Sequence, residues 1–566
     1  MSMRDSEGPA KRLRHAEDVR ASSEPNSGSS TGPFYSDVRR PGFKEYEDML
    51  FWQRANQAVL DEEGFPGIRS TLRNRLFLSS SYSGWGAAET VSPQIADAAG
   101  CPDGIVNYSA SDVSELARRA LASHGTRSQP LHLFDDILTR IDQASLDKMK
   151  NAHARIAKDL ETRLAACASR GERFEVVTSV GRGFVRQARS ILEEAKFPTH
   201  LFCHIHKDQC SVVPSTRGNA LWVETAGITC TAFSNYGRRL RWADASAIVS
   251  LTWAWWVRAH RPDMVCIECV PQLEWEPIAK ILNMYAHITD IIDPVAFGVP
   301  SRRRRSYGMF IIGPEHQKQM NTWVGMFESI MYRTLEADGS IFLRAPPGMM
   351  LRVYQGFGAE RGVGLEEIDM QYLKVQDVID SGNAARLRGY VDALQKSCEK
   401  LSLPRPEHVL VNVSQNEHHL SLPSIKNSCI FPTLMRRSLL VNIGNAYRNQ
   451  RIVHHMEFFA AMLFPIFTDR PELCRYFPWG SVEHFQDLFT AYEMRAGAGN
   501  GMNLIQIGSW LQFMFSLWPT LPGNAEMTAV QGSSVEEKNS GAASSSAAKA
   551  ASAAGESPKA APPVLF

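Results

Sequence analysis

Between residues 76 and 312, short apolar runs alternate with amphipathic stretches, and most of the runs end on a glycine turn, a carboxylate or a cysteine. This alternation restricts the chain to an α/β fold, with parallel strands joined by helices that cover both faces of one sheet. Such sheets present their reactive groups at the carboxyl ends of the strands. Strands are expected at Leu76–Ser80, Ile105–Tyr108, Leu131–Phe134, Leu221–Glu224, Met264–Glu268 and Met309–Ile312. Helices are expected at Ala87–Ala99, through Arg118 and Leu121, and at Trp275–Tyr285. The most apolar run, Ile248–Val257, falls short of the roughly 18 residues of a membrane span and reads as a buried helix.

The 566 residues divide unevenly around this core. Residues 1–45 are rich in Ser, Gly, Pro and charge, and 523–566 are an Ala/Ser/Gly/Lys tract; neither has a core-forming pattern, so both read as disordered tails. Lys11-Arg12-Leu13-Arg14 reads either as a solvated charge run or as a nuclear import signal, the basis for expecting the nucleus. Residues 46–314 read as the main domain, interrupted at about 139–220 by a charged, Ala-rich helical insertion. Residues 315–440 form a smaller region, and 441–522 return to the core. A formal net charge of +1 gives no global attraction to nucleic acid, so any such contact must come from local basic clusters. Ten scattered cysteines without a secretory leader point to reduced thiols in an intracellular protein, neither secreted nor membrane-bound.

Four segments carry chemistry. In Ser80–Glu89 a strand passes through Tyr82, Gly84 and Gly86 into a helix, a turn that lets backbone approach a ligand closely. Asp112 follows the second strand, where a carboxylate can hold ribose hydroxyls, and Asp136 follows the third, where an acceptor can read an adenine amino group. Cys230 lies on a Gly-containing loop after the strand at 221, and Glu268 ends the strand at 264. Arg302–Arg305 enter the last strand, where alternation lets Arg303 and Arg305 converge on one ligand. A second glycine turn, Val180–Phe184, mimics the first but lacks a following carboxylate. Cys203, His204, His206 and Cys210 are soft ligands within eight residues, yet their spacing fits no common finger. That segment reads as an ordinary strand-to-helix passage, and no metal is assigned.

In this order the blocks resemble the S-adenosylmethionine-dependent cytosine-5 DNA methyltransferase family, as a divergent member. Two later segments agree: Arg451–Pro465 resembles an Arg…Glu…Phe-Pro block, and Ala498–Met502 a Gly-Asn block that returns to the cofactor pocket. The resemblance implies a Rossmann-like S-adenosylmethionine-dependent methyltransferase fold with a target-recognition region at 315–440. It implies Cys230 as nucleophile, Glu268 as the acid at cytosine N3, Arg305 on the base carbonyl and Arg303 in support. It further implies Tyr82, Gly84, Gly86, Asp112, Asp136 and Asn500 around S-adenosylmethionine, and double-stranded DNA with a flipped cytosine as partner.

Several supports depart from the family pattern. Thr229 stands for Pro, Cys269 for Asn, Ser301 for Gln, Tyr82 for Phe and Asp112 for Glu, while Ala460 and Met462 replace an Arg-x-Gln. Other readings are therefore a catalytically impaired protein that binds nucleic acid, or an RNA enzyme acting on tRNA cytosine. In the recognition region Arg344, Arg352, Arg361, Arg386, Arg388 and Arg405, with Tyr354 and Phe357, suit phosphate and base contacts.

Overall fold

The computed structural model describes residues 39–65, 67–215, 220–234, 237–359, 374–415, 429–444 and 450–522. The tail at 523–566, the basic cluster at 11–14 and Arg361 lie outside them.

Twelve strands are described: β1 Leu76–Ser81, β2 Ile105–Ser111, β3 His132–Phe134, β4 His200–Cys203, β5 Asp208–Ser211, β6 Leu221–Gly227, β7 Met264–Cys269, β8 Tyr285–Ile292, β9 Arg305–Ile312, β10 Leu410–Asn412, β11 Leu440–Asn442 and β12 Arg451–Ile452. Seven of them form the central sheet in the order β3-β2-β1-β6-β7-β9-β8. All of its pairings are parallel except those of β9, which runs antiparallel to both β7 and β8. The expected Rossmann-like α/β fold is thus the fold observed. The chain starts mid-sheet at β1, moves outward to β3 and returns to β6, so the order reverses between β1 and β6. A crevice at the carboxyl ends of those two strands is where open sheets of this kind bind ligands.

Burial on both faces explains why these strands read as nearly continuous apolar runs. Along β7, Met264 and Cys266 join one core while Val265, Ile267 and Cys269 join the other. The first core packs beneath Trp52–Glu62, Gly67–Arg73, Ala87–Ala98 and Leu504–Leu517. Gly508 lets the last of these approach Trp52, since a Cβ there would meet the indole at 2.1 Å. The second core lies under Ser246–His260, Glu276–Ile281 and the insertion helices Gln143–Ala165 and Arg170–Glu193. A third core joins Met350, Tyr354, Leu387, Leu394, Val411 and Val441 around the small sheet β10-β11-β12, whereas Trp323, Phe327 and Met331 pack into the first core.

Four expectations are corrected. The helix expected at Trp275–Tyr285 ends at Ile281, and Tyr285 opens the unexpected strand β8. It is an edge strand paired only to β9, with Ala286, Ile288 and Ile292 buried and Ile291 exposed. Strands β2, β6 and β9 extend beyond their apolar stretches because polar residues such as Ser109, Ser111, Thr225 and Ser306 are buried within the ladder. The glycine turn expected at Val180–Phe184 lies inside the helix Arg170–Glu193. There Gly181 provides close approach rather than a turn: a Cβ would sit 3.0 Å from the Ala243 nitrogen. The segment at 203–210 is a β4-β5 hairpin, not a strand leading to a helix.

Candidate active site at the carboxyl edge of the sheet

Three neighbouring strands deliver the reactive side chains. β6 ends at Gly227, paired with Glu268 of β7. A Cβ at Gly227 would lie 2.6 Å from Met502 Cε and 3.6 Å from Glu268 Oε2, so the strand ends close beneath both side chains. Beyond it, Ile228 N–H donates to the Glu268 carbonyl at 3.1 Å, and the chain turns at Cys230, whose carbonyl accepts from Phe233 and Ser234 at 3.0 and 2.9 Å. Arg305, the first residue of β9, donates through Nε to Glu268 Oε1 at 2.9 Å. Arg303, 5% exposed, directs both terminal nitrogens at the Gly499 carbonyl, at 3.4 and 3.3 Å.

Electrostatics tie the four together. Burial pushes the Cys230 thiol up and the Glu268 charge adds to this, while Arg305 and Arg303 oppose it. Burial lowers Arg303 to about 10, Arg305 depresses it further, and Glu268 works in the opposite sense. The alternate arginines both act on Cys230, but each has its own hydrogen-bond partner rather than a shared one. Arg305, expected on a base carbonyl, holds the carboxylate, and Arg303 ties the site to the 499–502 segment. Cys269, which stands for Asn in the resemblance, donates its thiol to the Ile228 carbonyl at 3.7 Å.

The glycine loop lies on the other side of the crevice. Tyr82, Gly84 and Gly86 all have positive φ (54°, 56° and 77°), which carries the chain sharply from β1 into the helix Ala87–Ala98. No side chain caps that helix at Gly86, and a Cβ at Gly84 would meet nothing within 4 Å. Asp112 accepts from Gly84 N–H at 2.9 Å and from Ser114 N–H at 2.8 Å, so it pins the turn as well as facing it. Burial raises its carboxyl despite these bonds. Asp136 is half-buried and caps the short helix Ile137–Arg140 through Leu138 N–H. Asn500 is exposed at the end of Ala491–Asn500. The buried asparagine nearby is Asn503, which caps Leu504–Leu517 and donates to the Ala461 carbonyl.

Sequence reasoning missed what holds the glycine loop. Trp85 is buried among Phe489, Phe459, Trp479 and Phe485, with ring centroids 4.6, 5.4, 5.6 and 5.9 Å away. Gly497 is pressed against its indole, where a Cβ would be 2.2 Å away. A tryptophan between two glycines was the available signal. Also missed were Glu89, buried behind the loop and raised to about 7 by burial, and the buried pair Arg140–Glu224 at 4.0 Å beneath it. The Arg451–Pro465 block is structural: Arg451 pairs with buried Glu457 at 2.6 Å, and Phe459 and Phe464 join the aromatic cluster. In the expected recognition region Arg344 pairs with Glu47, Arg386 donates to the Val413 carbonyl, and Tyr354 is core. Arg352 and Phe357 help to line a cavity of about 460 Å³.

Fold and site together define a Rossmann-like α/β protein whose sheet carries a cysteine, a carboxylate and two arginines at the carboxyl edge, beside the glycine loop. No family model and no curated protein matches the sequence. Among solved structures the chain is similar to the Entamoeba histolytica methyltransferase EhMeth, at 11% identity and a TM-score of 0.38, over 78% of this chain and 98% of that one. It is also similar to the S. pombe Dnmt2 methyltransferase, at 15% identity and 0.35, over 79% and 99%. A putative DNA modification methyltransferase encoded within an E. coli prophage is similar at 12% identity and 0.36, over 78% and 99%. No helix among the described residues is long and apolar enough to cross a membrane.

Proposed function

We propose that this chain transfers a methyl group from S-adenosylmethionine to C5 of cytosine in double-stranded DNA through a transient Cys230 adduct. The observation that carries the reading is the meeting of Cys230, Glu268, Arg303 and Arg305, from separate segments, at one end of the sheet.

The crevice fits the cofactor. Glycine at 84 leaves space over the turn, the helix beginning at Ala87 opens without a side-chain cap, and Asp112 and Asp136 offer carboxylates at the ends of β2 and β3. Asp112 would hold the ribose hydroxyls and Asp136 would face the adenine. When bound, the cofactor supplies a methyl already activated on a sulfonium, so the reaction requires no metal.

The chain's own groups do the rest. A cytosine reaches such a pocket only when flipped from the duplex. The Cys230 thiolate forms a bond to C6 while Glu268 relays a proton from solvent to N3, which directs electron density to C5. After C5 is methylated, loss of the C5 proton to a base expels Cys230 as thiolate, and N3 gives its proton back through Glu268, which restores the ring. Arg305 holds the Glu268 carboxylate in place, and the two arginines offset the cost of forming a thiolate beside that charge. The thiol is held high by burial and by Glu268, so adduct formation accelerates as pH rises.

Trapping tests this reading. On a duplex carrying 5-fluorocytosine, fluorine at C5 cannot leave as a proton does, so the enzyme should remain attached after methyl transfer. The expected result is a denaturant-resistant adduct requiring S-adenosylmethionine and abolished by Cys230→Ala. No adduct on DNA, from folded protein that binds S-adenosylhomocysteine, would reject the DNA reading. The same trap on RNA then separates an RNA cytosine methyltransferase from a catalytically impaired binding protein.

A further inference from the structure

We propose that His132, Cys203, His206 and Cys210 form a structural zinc site that clips the β4-β5 hairpin to the edge strand β3. The sequence offered three of these ligands in a spacing that matched no finger; the fourth comes from β3, seventy-one residues before Cys203.

The ligand atoms of the four side chains all lie within 4.8 Å of one another. His206 Nδ1 is 3.4 Å from Cys210 Sγ and 3.5 Å from Cys203 Sγ, and Cys203 Sγ is 4.0 Å from His132 Nδ1. Tetrahedral zinc, with bonds of about 2.3 Å to sulfur and 2.0–2.1 Å to nitrogen, places its ligands roughly 3.3–3.8 Å apart. Closing the observed cluster around an ion takes movements of a few tenths of an ångström to about one. Thiol–imidazole hydrogen bonding accounts for the cluster less well. A single imidazole nitrogen has one lone pair or one proton, and so cannot serve both sulfurs at once. A cation at the centre satisfies all four.

The hairpin also needs a fastening. Its strands are four residues each, and most of their side chains are exposed or half-exposed. A two-stranded hairpin without a core is marginal in water. Cys203, 0% exposed, is the one fully buried side chain in the two strands, and its sulfur accepts from Leu133 N–H at 3.4 Å, a contact that orients a metal thiolate. His204 N–H donates to the Leu133 carbonyl at 2.7 Å, so the hairpin covers the backbone edge that β3 would otherwise expose. His204 is not a ligand: its Nε2 meets Asp135 at 2.8 Å. Two thiolates and two imidazoles favour zinc over calcium or magnesium, and four protein ligands leave no open position for catalysis. Binding displaces the thiol protons of Cys203 and Cys210 to solvent.

The test uses the full chain, purified reduced and without chelator. Elemental analysis should find one zinc per chain. Replacement by Co²⁺ should give visible bands of tetrahedral cobalt with thiolate charge transfer in the near ultraviolet. Cys210→Ser and His206→Ala, at accessible positions, should lose the metal or weaken these bands while retaining the wild-type circular dichroism. Cys167→Ser, a surface cysteine elsewhere, should change neither. Zinc-free protein that yields only octahedral cobalt spectra on reconstitution would overturn the proposal, as would zinc binding unaffected by Cys210→Ser and His206→Ala. Neither readout depends on methyl transfer.

Discussion

The two loops that flank the crevice are held in opposite ways. The cysteine loop after β6 is organised locally and by the adjacent strand. Cys230 turns on bonds from Phe233 and Ser234, Arg238 N–H returns to the Thr231 carbonyl, and Glu268 and Cys269 brace Ile228. The glycine loop after β1 is anchored by residues nearly four hundred positions away: Trp85 is enclosed by rings from Phe459 to Phe489, and Gly86 by His124, itself packed on Trp479. Local bonds shape a reactive turn whatever lies beyond it. Aromatic packing makes the glycine loop conditional on the C-terminal segment being in place, whereas the cysteine side meets that segment through Met502 beside Gly227 and the Gly499 carbonyl on Arg303.

The sharpest way to break the contrast is Trp85→Ala. Removing a buried indole from this cluster should cost about 3–5 kcal/mol in stability. It should also abolish S-adenosylhomocysteine binding at temperatures where the fold persists, measured by thermal unfolding and calorimetry. Retained cofactor affinity would show that the glycine loop does not need its distant anchor.

Acid should loosen the same side first. Burial lowers His124 to about 4, as it does His455; His454, lowered to about 2 by burial and neighbouring charges, caps the helix carrying Phe459. The unfolded chain takes up these protons near the ordinary histidine value of 6.5, whereas the folded chain does not until far lower pH. The contribution of these histidines should therefore be complete above about pH 7 and be lost as pH drops from 6.5 towards 4, while Glu89, raised to about 7, contributes in the opposite sense over that window. Tryptophan fluorescence should report opening of the aromatic cluster over that window. A difference in unfolding midpoint between wild type and His124→Gln that stays the same from pH 7 to pH 5 would contradict the assignment.

The smallest effect concerns the other loop. Cys269→Ala removes one weak thiol–carbonyl bond, worth about 0.5–1.5 kcal/mol at most. Adduct formation by Cys230 should slow modestly with cofactor affinity unchanged. A loss as severe as that of Cys230→Ala would mean that the cysteine loop depends on this single brace.

Much of the site was legible because its residues sit at strand ends, and strand ends can be read from where apolar runs stop. Cys230, Glu268 and the Arg303–Arg305 alternation were located in this way, as were Gly84, Gly86 and Asp112. Asn500, located by likeness of a short block, is exposed at a helix end, while Asn503 is buried as the cap of the next helix, a difference that a Gly-Asn pair in the sequence does not reveal. Val180–Phe184 failed for a related reason: glycine permits both a turn and a close helix crossing, and only the neighbour at Ala243 distinguishes them. Strand β8 was missed because His287, Thr289 and Asp290 interrupt its apolar residues and its start lies in a stretch that reads as helix.

By itself the sequence determined the α/β class, the succession of strands and the reactive groups at their ends, since all of these follow from local periodicity and from residue types at its breaks. Only the tertiary structure decided which distant residues meet: Trp85 with the rings beyond 458, Arg303 with Gly499, and His132 with Cys203, His206 and Cys210. The physical reason is that periodicity records which face of an element is buried but not against what, and partners far apart in the chain share no local pattern.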